Sequence, residues 1–256
     1  MLQVITIPSR QDNYIWLIKK ANKAVVVDPG EAEPVLAHLA KLDLELHAIL
    51  LTHHHHDHID GVPQLLAACP AAKCYGPTMP GVSIPTLLEV KNEQTLALEE
   101  LSLQFRVMHL PGHTQEHVAY YGHGALFCGD VLFGGGCGRL LGGTAEQLYH
   151  SLERIKKLPP ETHIYCAHEY TANNLAFCQR IEPDNSLLKA RIRQTARLRQ
   201  QGIPTVPSSL SDELVTNVFL RTHIPEVKHS AEWISMTKCE NEIQIFASLR
   251  EKKNNL

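Results

Sequence analysis

Thr52-His53-His54-His55-His56-Asp57-His58 sets five histidines and an aspartate within seven positions. Its His-x-His-x-Asp-His spacing gathers four metal-competent side chains in one short stretch, an arrangement that rarely serves packing. The preceding segment, His47 to Thr52, is short, apolar and branched, which suits a buried strand. Beyond it, Asp60 offers an N-cap, Pro63 falls in a first turn and Leu65-Leu66-Ala67-Ala68 continues a helix. The four side chains are therefore expected on a strand-to-helix loop, where a rigid scaffold commonly mounts its chemistry. The spacing lets His53 and His55 reach one ion while Asp57 and His58 reach another. An expression tag does not explain the run, which is internal and flanked by structure signals.

Three further segments offer the remaining donors. Pro111-Gly112-His113-Thr114-Gln115-Glu116-His117 follows the strand-like Leu103 to His109, so His113 lies just past a strand. Cys128-Gly129-Asp130 follows a strand-like region from Tyr120 to Phe127, and Cys166-Ala167-His168 ends the strand-like His163 to Cys166. All four clusters thus sit at strand ends, on one rim if the strands share a direction.

These motifs resemble those of the metallo-β-lactamase superfamily and, within it, of the glyoxalase II (hydroxyacylglutathione hydrolase) family. The resemblance runs along nearly the whole chain: Asp12-Asn13-Tyr14, Asp28-Pro29-Gly30, Thr52 to His58, Pro111 to His117, Gly129-Asp130, Gly136-Cys137-Gly138-Arg139, His168-Glu169-Tyr170-Thr171 and Phe219-Leu220-Arg221. The histidine motif alone points to the superfamily; His168-Glu169-Tyr170-Thr171 and the helical tail point to the thioesterase. Residue by residue, the resemblance implies that His53, His55 and His113 bind one divalent ion and that Asp57, His58 and His168 bind a second, with Asp130 bridging both. It implies a hydroxide between the ions as nucleophile, with Asp57 and Asp130 as the catalytic carboxylates and Asp57 orienting that hydroxide. The donors suit zinc, iron and manganese, with no thiolate to force zinc, and zinc is the metal expected first. The implied substrate is a small glutathione thioester, S-D-lactoylglutathione, cleaved to glutathione and D-lactate. Arg139, Tyr170 and Arg221 would hold the glutathione moiety. Leu141 stands where relatives often have Tyr or Phe, and no basic residue follows shortly after Arg221.

Composition agrees with an enzyme of small molecules. At 256 residues and 44% hydrophobic, the chain can bury a substantial core. A formal net charge of -3 gives no global attraction to phosphate backbones, so no nucleic-acid partner is expected. No stretch of about 18 apolar residues and no basic-then-apolar leader is present, so neither a membrane nor export is expected, and the cytosol is the default. Seven cysteines, without a C-x-x-C pair, read as free thiols. Cys128 and Cys166 read as buried packing residues, His54 and His56 as pointing away from the ions, and His117 as supporting. A monomer is expected.

The organisation changes near residue 168. Before it, strand-like runs (Leu2 to Ile7, Tyr14 to Ile18, Ala24 to Val27) alternate with helical ones (Pro34 to Leu42, Thr144 to Leu158). After it, Thr171 to Arg180, Asn185 to Gln201, Ser211 to Leu220, Pro225 to Met236 and Glu240 to Lys252 read as helices, and no strand is expected. The division expected is a catalytic domain over 1–168 and a helical substrate-binding domain over 169–256. The resemblance implies an α+β fold: a four-layer αββα sandwich of two mixed sheets followed by the helical domain. The glycine-rich Gly134 to Gly143 lacks the Gly-Lys-Ser/Thr ending of a phosphate loop and reads as a flexible wall beside the metals. Competing readings are a thioesterase of other substrate, a one-iron persulfide dioxygenase, an exported β-lactamase, a nuclease with an inserted domain, and a metal-buffering scaffold.

Overall fold

Strand β1 (Gln3–Ser9), β2 (Asn13–Lys20) and β3 (Lys23–Val27) form an antiparallel meander. They are the first elements of the computed structural model, which describes residues 2–84 and 86–255. Strands β4 (Glu45–Leu50), β5 (Lys73–Gly76) and β6 (Leu87–Glu89) then join β3 in parallel. Parallel neighbours need a crossover, and helices supply it: α1 (Glu33–Leu42) before β4, then α2 (His56–Ile59) and α3 (Val62–Ala68) before β5. The runs from Tyr14 to Ile18 and from Ala24 to Val27 are buried without interruption, as strands covered on both faces require. Ile7, Leu17, Val26 and Ile49 meet Val35 and Leu39 of α1 and Val62 and Leu65 of α3 in one apolar core. The same compact unit, residues 1–109 and 116–129, holds an antiparallel meander of β7 (Thr95–Leu98), β8 (Leu103–His109), β9 (Val118–Gly122) and β10 (Ala125–Gly129). This second sheet is tied to the histidine loop: Val118 N–H donates to the Thr52 carbonyl at 2.9 Å and Tyr120 Oη to that of Leu51 at 2.9 Å.

The second unit comprises residues 110–115 and 130–256. Its hairpin β11 (Leu132–Phe133) and β12 (Gly136–Cys137) precedes α4 (Ala145–Ile155), which opens with a complete capping box between Thr144 and Gln147. Strand β13 (His163–Cys166) pairs with the short β14 (Ser208–Ser209). The helices are α5 (Thr171–Ile181), α6 (Ser186–Gln200), α7 (Leu210–Thr216), α8 (Pro225–Ser235) and α9 (Glu242–Asn254). Phe219 anchors their core between Phe177 at 5.9 Å and Phe246 at 5.7 Å. Buried Glu213 accepts hydrogen bonds from Gly135 N, Ser208 Oγ and Asn217 Nδ2 and pairs with the Arg191 guanidinium.

Four local expectations are corrected. The region from Tyr120 to Phe127 is two strands, not one, turned at His123 and Gly124, whose φ values of 53° and 75° are those of a tight hairpin turn. A strand does occur after residue 168, but β14 is only two residues long and its Ser-Ser sequence carries no strand pattern. Asp60 is not an N-cap: it closes α2 as its C-cap, α3 starts after Gly61, and the Asp60 carboxylate receives Arg10 and faces His56. The segment from Gly134 to Gly138 is buried and tightly packed, not a flexible wall. Cβ atoms at positions 134, 135 and 136 would fall 2.3, 2.6 and 2.4 Å from side-chain atoms of Thr171, Leu175 and Asn174. Those three lie on one face of α5, so the glycines let the hairpin and helix touch backbone to side chain.

Candidate metal centre

In the first unit the chain leaves β4 extended through Thr52 and enters the single turn of α2 after His55. His53 and His55 are in the loop, as expected, whereas Asp57 and His58 are already helical. His53 Nε2 lies 2.9 Å from His55 Nδ1. His58 Nε2 lies 3.4 Å from Asp57 Oδ2. Behind these pairs stands Asp28, 4% exposed, which follows β3 with φ 51°. It accepts the Thr52 N–H at 2.8 Å and the Thr52 hydroxyl at 2.7 Å. It also lies 3.0 Å from His58 Nδ1. A carboxylate accepts only, so His58 carries its proton on Nδ1 and keeps the lone pair on Nε2. The Thr52 hydroxyl proton is directed to Asp28, so its oxygen, 3.0 Å from His53 Nδ1, accepts from that ring. Both tautomers thus present Nε2 as a metal donor. His117 is buried and stacks on His53 at 4.7 Å, while His56 is exposed and faces Asp60.

In the second unit His113 Nδ1 donates to the Arg139 carbonyl at 2.8 Å, again leaving Nε2 as donor. His113 Nε2 lies 3.4 Å from Asp130 Oδ2, and His168 Nε2 lies 3.5 Å from Asp130 Oδ1. Each carboxylate oxygen faces a different imidazole, the disposition of a bridging ligand. Tyr170 stacks on His168 at 4.7 Å and 6°. Gly138 has no room for a side chain, since its Cβ would meet the Asp130 carbonyl oxygen at 2.1 Å. Imidazole nitrogens and carboxylate oxygens without a thiolate form donor sets for a divalent metal.

Sequence reasoning quoted Asp28, Thr52 and Asn13 within motifs but gave them no role, and the structure places them in hydrogen-bonding contact with His58, His53 and Asp57. The available signals were a buried acid directly after the apolar run ending at Val27, and a polar Asn at the head of an otherwise apolar strand. Also missed were Arg250 and Lys253 on the last helix. Arg250 is buried, donates to the Cys137 carbonyl at 2.9 Å and lies over Phe219. Lys253 is pushed below its usual pKa by burial first, then by its cationic neighbours Arg250, Arg139 and Arg180, with Cys178 opposing. Cations gathered this way suit an anionic partner.

Arg221 is already paired within the fold. Its Nε and Nη2 donate to both oxygens of Glu182 at 2.8 Å, and Nη1 reaches the Leu214 carbonyl. In this structure its fork engages Glu182, a buried residue of the fold. Cys74 and Cys178 are free thiols pushed up to about 12 by burial, so they are protonated at neutral pH and no nucleophile.

A two-sheet scaffold carrying His/Asp clusters able to hold a metal is the class these features define. The model of the "Metallo-beta-lactamase superfamily" matches residues 10–168, and that of the "Hydroxyacylglutathione hydrolase C-terminus" matches residues 169–256. A protein of Tolumonas auensis named hydroxyacylglutathione hydrolase is 57% identical over 256 residues, covering 100% of both chains. The crystal structure of ETHE1 from Myxococcus xanthus matches with a TM-score of 0.65 and 24% identity, over 99% of this chain and 98% of that one. The structure of TTHA1623 in a di-iron-bound form matches with a TM-score of 0.54 and 32% identity, over 65% of this chain and 91% of that one. The chain therefore belongs to the metallo-β-lactamase superfamily and, within it, to the hydroxyacylglutathione hydrolase family. Its fold is the metallo-β-lactamase fold with a C-terminal helical region.

Proposed function

We propose that the chain hydrolyses S-lactoylglutathione to lactate and glutathione at a pair of divalent metal ions. The observation that carries this reading is the division of Asp130 between His113 and His168, one imidazole to each carboxylate oxygen. His53, His55 and His113 would hold one ion and Asp57, His58 and His168 the other, with Asp130 shared. Zinc is the first choice, with iron or manganese as alternatives. Two such ions supply Lewis acidity toward a carbonyl oxygen and lower the pKa of water toward about 7. Asp28 and the Arg139 carbonyl hold protons on the Nδ1 atoms of His58 and His113, so that Nε2 faces the centre. Asp57 and Asp130 orient the reacting groups. A thiolate leaves with a conjugate-acid pKa of about 8.5, so no protein acid is needed to protonate it. Residues 1–168 would carry the chemistry and 169–256 the recognition of substrate. One chain supplies every donor, which favours a monomer, and the buried free thiols suit a reducing cytosol. Among the described residues no helix is long and apolar enough to cross a membrane.

Recognition of the glutathione carboxylates is assigned to Lys253 and Arg139, with Tyr170 beside His168 and Arg221 held by Glu182. Such remote contacts act alike in ground and transition states, so losing one should raise KM and spare kcat. A charge-assisted hydrogen bond is worth about 1.5–3 kcal/mol, so Lys253→Ala should cost roughly 10- to 150-fold in kcat/KM for S-lactoylglutathione. A small neutral thioester should be hydrolysed equally well by both proteins. Equal losses on the two substrates would assign Lys253 to the fold.

A further inference from the structure

The turn joining β1 to β2 reaches the histidine segment at three points. At Arg10, which has φ 51°, the main-chain N–H donates to Glu31 at 2.7 Å, and the Ser9 hydroxyl donates to the same carboxylate oxygen. Arg10 Nη2 donates to the His56 carbonyl at 3.3 Å and to Asp60 Oδ2 at 2.7 Å, bracketing Asp57 in sequence. Asn13 closes the turn opposite Ser9 and is 7% exposed, directly before the buried run from Tyr14. Its Nδ2 donates to Asp57 Oδ2 at 2.9 Å and lies 3.4 Å from the Asp57 carbonyl oxygen. From the other side Gly30 closes on Asp57: a Cβ there would lie 1.9 Å from the Asp57 carbonyl oxygen.

A buried amide amid oxygens is informative. Around Asn13 Nδ2 the partners are two acceptors of one residue, and only a group with N–H donors satisfies both. The oxygen it holds, Oδ2, is the one 3.4 Å from His58 Nε2, so the amide fixes the carboxylate oxygen that faces the neighbouring donor. Holding that oxygen restricts the Asp57 side chain and pre-organises it for a metal.

We propose that Asn13 is a positioning residue for the metal ligand Asp57, its side-chain amide holding the Asp57 Oδ2 that faces His58 Nε2. The inference rests on the two-metal reading above. The test is titration of metal-free protein with Co2+, followed by its visible absorption and by calorimetry, in wild type, Asn13→Leu and Asn13→Asp. Wild type is expected to bind two ions per chain. Asn13→Leu, similar in volume but without a donor, is expected to weaken one of the two events by about 10- to 100-fold and to leave the other unchanged. Asn13→Asp keeps the shape and replaces the donor with a like charge, so the same event should weaken; it decides the matter if the leucine variant does not fold. Unchanged or tighter binding in a folded variant would overturn the proposal, as would equal weakening of both events, which marks a general structural role. Fewer than two ions in wild type would instead overturn the two-metal reading, and the proposal with it.

Discussion

Asp130→Asn should bind fewer than two metal ions per chain and lose at least about 10²- to 10³-fold in kcat, the loss given by removing a single group that acts on the transition state. The amide keeps the shape of the carboxylate, so the substitution isolates the charge and the second donor oxygen. In the present geometry Oδ2 faces His113 and Oδ1 faces His168, at 3.4 and 3.5 Å. An amide offers oxygen to one side and N–H to the other, where a metal would meet a donor in place of a lone pair. The measurement is metal analysis beside thioester hydrolysis under saturating substrate. A variant with two ions and kcat within a few-fold of wild type would remove Asp130 from the bridging role.

Glu213→Ala should lower stability by about 3–5 kcal/mol without touching the metal donors, because it leaves Arg191 as a buried charge without its carboxylate partner. Three neutral donors, on Gly135, Ser208 and Asn217, lose their acceptor as well. At about 2–4 °C per kcal/mol for chains of 150–250 residues, Tm should fall by roughly 6–20 °C. Removing both charges in Glu213→Leu with Arg191→Met should restore part of the loss, since no bare charge then remains buried. Thermal unfolding of the metal-free proteins checks both statements. A Tm within about 2 °C of wild type for Glu213→Ala would show that the buried pair carries no net weight.

Much of the fold was legible because its signals are local. Uninterrupted apolar runs such as Tyr14 to Ile18 identify strands buried on both faces, and β13 was delimited from His163 to Cys166. Helices α5 through α9 announce themselves by breaks at Pro183, Gly202 and Pro207, while the caps Asn185 and Asn241 that fix two of their starts emerge only in the structure. What stayed hidden depends on contacts across distance. The packing of Gly134 to Gly136 on α5 is set by residues about 40 positions away, so the glycines read as flexible when they are tight. Arg221 reads as a binding residue from its motif, while its pairing with Glu182, 39 residues earlier, is invisible in the sequence. Among the site residues, the histidines and aspartates stand out because their spacing is itself chemical. Asp28 and Asn13 do not, because a group that orients a ligand needs only proximity in space, and the sequence places Asn13 44 residues from Asp57.

The most direct test of a metal-dependent glutathione thioesterase is the stoichiometry of reactivation. Protein stripped by prolonged chelation is titrated with zinc, manganese or ferrous iron while S-lactoylglutathione hydrolysis is followed. The two-metal account predicts no activity in the stripped protein and recovery that is complete at two ions per chain. Full hydrolysis in metal-free protein, or recovery complete at one ion, would contradict it.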